Sequence, residues 1–117
     1  MSSFDAHPKE LAAYEEAYPD AVPSLGVVTG LGMSTIMKQV LDTACENGDL
    51  TRAGVREAFD SLQEVDTKDL IVPLRGFETG KSPSLSSFIL RPDADVPGGV
   101  TVAADAFEGE FAEKLAG

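Results

Sequence analysis

With 117 residues the chain holds enough material for one domain, and a domain of that size buries roughly 65% of the surface its unfolded form exposes. Twenty acidic residues against nine basic ones give a net charge of -11, which disfavours both nucleic acid and anionic lipid as partners. Apolar residues at 43% and charged residues at 25% are ordinary for a folded chain, so the acidity reads first as a source of solubility.

In chain order, the start Met1 to Pro8 lacks the charged and apolar stretches of a signal peptide. Pro8 suits the first turn of a helix, whose apolar positions are Leu11, Tyr14 and Tyr18 and which Pro19 stops. A loop with two prolines around it follows, and Leu25 to Val28 is a short apolar run read as strand or loop. Met33, Ile36, Met37, Val40, Leu41 and Ala44 then recur at helical spacing and predict a helix with one buried stripe, closed at Asn47-Gly48. Thr51 is placed to cap a further helix carrying Val55, Phe59 and Leu62, with Leu50 and Val55 in the positions of a hydrophobic staple.

From Val65 the pattern shortens. Leu70 to Leu74, Leu85 to Leu90 and Val100 to Ala103 read as strands, the last two forming an antiparallel pair around the turn-rich segment 91–99. Phe107, Phe111 and Leu115, four residues apart, predict a closing helix weakened by Gly109. No eighteen-residue apolar run is present, so no membrane span is expected and the chain is expected to be soluble.

Little in the sequence points to catalysis. His7 and Cys45 are the single histidine and cysteine; His7 reads as an exposed residue at a helix start and Cys45 as a small buried apolar residue. The spacing of ligand residues suits no zinc site. Asp93 and Asp95 alternate in a loop, but the remaining ligands of a calcium loop are missing. Thr29-Gly30-Leu31-Gly32-Met33 lacks the third glycine and the lysine of phosphate loops, and its glycines read as close chain packing where a loop enters a helix. No cofactor and no enzymatic activity are expected.

Two stretches carry a resemblance: Gly30-Leu31-Gly32-Met33-Ser34-Thr35-Ile36-Met37, and Gly48-Asp49-Leu50-Thr51 with the helix after it, leading to Val65-Asp66-Thr67 and Leu70 to Leu74. Their order and spacing resemble the C-terminal region of the type I periplasmic-binding-protein family, the Leu/Ile/Val-type substrate-binding proteins of ABC transporters. Leu11 to Asp20 is similar to that family's helix ending in Tyr-x-Asp, and Phe88 to Phe107 to its final strand pair.

The resemblance implies an α/β chain, residues 1–117 as one unit, forming the C-terminal fragment of a two-lobed fold with helices, then short strands with an antiparallel pair, then a C-terminal helix. It implies a ligand in the cleft between lobes, a small polar solute such as an amino acid, faced by Leu25, Gly26, Val27 and Thr29. An aromatic is common in that segment of the family, and this chain has none there. It further implies transporter membrane subunits as partners and an extracellular or periplasmic location, membrane-associated through a leader upstream of Met1. The open edges of a partial fold favour self-association, so a homo-oligomer is expected. The competing reading is an independent acidic α/β domain that binds a protein partner through its apolar helix faces.

Overall fold

The computed structural model describes residues 1–78 and 80–115. A 3-10 turn at Phe4–Ala6 leads into α1 (Pro8–Ala17), α2 (Leu25–Glu46), α3 (Arg52–Ser61), the strands β1 (Ser86–Pro92) and β2 (Val100–Glu108), and a last short turn of helix, α4 (Ala112–Leu115). The architecture is therefore mixed helix and strand, with one antiparallel pair among the described residues, as the sequence predicts.

The longest element begins earlier than its spacing suggests. Leu25 to Gly32, read as a strand or loop entering a helix, form the first two turns of α2. Three glycines in those turns cost about 1 kcal/mol each relative to alanine, so local propensity argues against helix there. Packing reverses that preference: Val28 is fully buried beside Phe4 and Leu70, and a Cβ on Gly32 would lie 2.8 Å from Ile71 Cγ2. Close packing at Gly32 is thus correct in kind, although it lies inside a helix. At the other end Gly48 takes φ +74 and Asp49 N donates to Ala44 O at 3.0 Å, the left-handed closure expected at Asn47-Gly48.

The main core joins Ile36, Val40 and Ala44 of α2 to Ala58 of α3 and to Val65 and Ile71. α3 starts at the Thr51 cap, whose side chain accepts from Gly54 N at 3.3 Å; Leu50, of the expected staple, is largely exposed. Leu70 to Leu74 is not a strand. Apart from one antiparallel bridge between Val65 and Leu74, the segment is held by side chains, with Leu70 and Ile71 buried and the Thr67 hydroxyl donating to Ile71 O at 3.1 Å. Gln39 of α2 clamps the same turn through both amide atoms, donating to Asp66 O at 2.8 Å and accepting from Asp66 N at 2.9 Å.

In the strand pair, Ser87 stands opposite Phe107, Ile89 opposite Ala104 and Leu90 opposite Val102, so β2 carries two residues more than β1 across this stretch. Such bulges bend a ribbon and strengthen its twist. β2 runs on through Phe107, which removes that residue from the predicted closing helix and leaves only Ala112–Leu115 helical. The hairpin is tied to the N-terminal segment by the Thr101 hydroxyl, which donates to Asp5 at 3.1 Å, and to the 75–78 segment by the Arg75–Glu108 ion pair.

Candidate functional site

The four residues expected to face ligand occupy one turn of helix. Leu25, Val27 and Thr29 are half-buried and Gly26 is exposed, behind an extended Ser24 whose side chain makes no capping bond. Val27 N donates to Ser24 O at 3.0 Å, and the Thr29 hydroxyl contacts Leu25 O and Met1 Sδ, each at 3.0 Å. Helical geometry spreads these side chains around the axis, so they do not line one surface as strand neighbours of one face would. Val27 leans on the Phe4, Val28 and Leu70 cluster, and Gly26 leaves the outer side of the turn bare.

His7 differs from expectation. It joins the 3-10 turn to α1 with φ -130 and ψ 64, makes no side-chain cap, and is only 9% exposed. Its Nε2 is buried and has no hydrogen-bond partner among the described residues. Withholding such a nitrogen from water without a partner costs about 1–3 kcal/mol. The reason it is buried is tertiary: Ser2 N donates to Leu70 O at 2.9 Å, which draws the N-terminal segment over the 67–71 turn and against the hairpin.

A cavity of about 460 Å³ lies at that junction, with walls from Ser2, His7, Lys68, Asp69, Phe88 and Asp105 among others. Lys68 and Asp69 are consecutive left-handed residues, φ 53 and 58, a conformation that costs non-glycine residues of order 1 kcal/mol or more each. The Lys68 ammonium is already engaged by Asp66, which sets the Asp66 carboxyl below its ordinary range through that hydrogen bond. A second concavity of about 510 Å³, beside Gln63, Arg75 and Phe77, includes no buried polar side chain.

Cys45, expected inside, is exposed, because the helix turns the neighbouring Ala44 into the core. Asp93 and Asp95 make a local turn, Asp95 N donating to Asp93 Oδ1 at 3.0 Å, and no group of three or more potential metal ligands occurs among the described residues. No helix among them is long and apolar enough to cross a membrane.

A scan against protein-family models finds no match, and a search of curated proteins finds none either. Among solved structures, the chain is similar to a fatty acid ABC transporter substrate-binding protein from Thermomonospora curvata, with a TM-score of 0.84 and 33% identity. The match covers 96% of this chain and 28% of that one. The fold is part of an ABC substrate-binding-protein fold. The chain spans little more than a quarter of the length of the substrate-binding protein it matches. That similarity, over nearly the whole chain, supports the resemblance to a substrate-binding protein of ABC transporters without extending to the Leu/Ile/Val type. Neither does it support an amino acid as ligand, since the neighbour is named for fatty acid.

Proposed function

We propose that this chain is the C-terminal portion of the solute-binding component of an ABC transporter, acting outside the cytoplasmic membrane and passing its ligand to membrane subunits. The observation that carries this reading is the superposition of nearly the whole chain on a substrate-binding protein at 33% identity. It is a binding role without catalysis, and residues 1–117 act as one unit within it.

For the solute, we favour a molecule with an apolar chain over an amino acid. Leu25 and Val27 offer aliphatic surface in the turn proposed to face ligand, and the similar protein is named for fatty acid. Thr29 has its hydroxyl turned back to Leu25 O and offers the solute little hydrogen bonding.

A chimera tests both parts: this chain replaces the matching 28% of the Thermomonospora curvata protein, and binding of a fluorescent long-chain fatty acid is followed by titration. Saturable binding, weakened about tenfold or more by Gly26→Glu, is expected, because a carboxylate at that turn sets a charge against the solute's apolar chain and costs at least about 1.4 kcal/mol. A folded chimera that binds no fatty acid overturns the solute assignment. A chimera that does not fold, beside a parent that does, overturns the assignment to this fold position.

A further inference from the structure

The first half of α2 carries no charge on any side. From Leu25 to Met37 there is no acidic or basic residue, in a chain of which 25% is charged. A helix that is apolar all round is ordinarily covered all round. Here one stripe is covered, Val28, Gly32, Ile36, Val40 and Ala44. Gly30, Met33, Met37 and Leu41, spaced i, i+3, i+7 and i+11, share another face, and solvent reaches all four. Gly30 adds a separate signal. A Cβ placed there meets nothing within 4 Å, so no contact among the described residues calls for glycine in mid-helix, where it is a weaker helix former than alanine or leucine. A glycine in that position suits a neighbour whose backbone comes close.

We propose that this open stripe seats the upstream part of the substrate-binding fold, which lays an apolar segment across Met33, Met37 and Leu41 with its backbone against Gly30. The inference rests on the reading of the chain as a C-terminal portion. The match covers 96% of this chain but 28% of the similar protein, so nearly three quarters of that architecture lies outside the part present and has to pack against it. An uncharged stripe on the longest helix is the surface suited to that packing, since apolar area removed from water drives it. A second copy is the weaker occupant, because it brings a further net charge of -11 and with it long-range repulsion. The stripe begins one turn beyond Gly26, so the segment that covers it also backs the turn proposed to face ligand.

The test uses the chimera in which this chain replaces the matching 28% of the Thermomonospora curvata protein. Hydrogen peroxide oxidises methionine to its sulfoxide where the thioether is accessible, and peptide masses locate the product. Oxidation of Met33 and Met37 is compared between the folded chimera and the isolated chain, diluted below self-association, with free methionine calibrating the oxidant. Both are expected to react about tenfold or more slowly in the chimera. Gly30→Leu is expected to change sign between the two. It raises the unfolding midpoint of the isolated chain, where leucine is the better helix former and finds open space, and lowers that of the chimera, where the same side chain meets the incoming backbone. A folded chimera whose methionines react as fast as in the isolated chain overturns the proposal and leaves the fold assignment standing. Slow oxidation already in the dilute isolated chain makes a second copy the occupant and overturns it as well, as does a midpoint that Gly30→Leu raises in both proteins. A chimera that does not fold removes the C-terminal reading itself, and this proposal with it.

Discussion

Gly54 is placed where a side chain has no room. A Cβ there would lie 2.3 Å from the backbone oxygen of Asp49, and backbone cannot rotate aside as a flexible side chain can. Gly54→Ala is expected to lower stability by about 1–3 kcal/mol, measured by urea unfolding. Gln39 is a second residue whose weight is hidden in the sequence, since a glutamine on a helix reads as surface. Its amide completes two exposed bonds to Asp66, so Gln39→Leu is expected to cost about 0.5–1.5 kcal/mol, water taking over the freed backbone groups, and to loosen the 65–71 turn. Hydrogen exchange at Asp66 N reports that loosening directly.

The charge balance of single residues also sets the acid limit. Asp5 is held below its ordinary value of 3.8, chiefly because the Ser3 hydroxyl donates to it; burial works in the opposite direction, and the Thr101 hydroxyl adds a further lowering. A carboxylate depressed in the folded state contributes stability above its unfolded value, and that contribution is lost as pH falls through the folded one. Asp5→Asn is therefore expected to flatten the acid limb of stability below about pH 4, in thermal unfolding followed from pH 2 to 7. The effect is modest because Asp5 is exposed and solvent screens it.

At the scale of elements, α3 depends on its first turn. Thr51→Ala removes the acceptor for Gly54 N and is expected to cost about 1 kcal/mol, seen as a lower unfolding midpoint with unchanged denaturant slope. The helix periodicities and caps at Pro8, Gly48 and Thr51 were legible because each depends on residues within one turn. The first turns of α2 were not legible, because Gly26, Gly30 and Gly32 signal a loop locally, and burial of Val28 against Phe4 and Leu70 is nonlocal. Phe107 misled for the opposite reason: four-residue spacing with Phe111 fits a helix, while strand pairing with Ser87 holds Phe107 extended.

The whole molecule is a slab, its Cα atoms extending 45 by 39 by 16 Å, with a radius of gyration of 16.3 Å. A compact globule of this length has about 13–14 Å. The excess has a counterpart on α2. Met33, Met37 and Leu41 form an i, i+4 stripe beside the buried Ile36, Val40 and Ala44, yet they are 56%, 51% and 43% exposed. The single buried stripe read from the spacing is therefore two stripes, one covered and one open. If the chain self-associates as proposed from its open faces, the double variant Met33→Gln/Met37→Gln is expected to shift it toward monomer in sedimentation at tens of micromolar, with the helical circular dichroism retained. A wild-type chain that sediments as a clean monomer removes that proposal.

By itself the sequence determined the helices around Leu11, Ile36 to Ala44 and Val55, their caps, the antiparallel pair and the resemblance to a substrate-binding protein, since these rest on short-range periodicity and ordered motifs. Only the tertiary structure decided which apolar stripe of α2 is covered, that the expected ligand turn is helical, that Leu70 and Ile71 are core without being strand, and that His7 is drawn under the hairpin. The physical reason is common to all four. Spacing along the chain says which side chains share a face, whereas burial depends on what another segment, tens of residues away, lays across it.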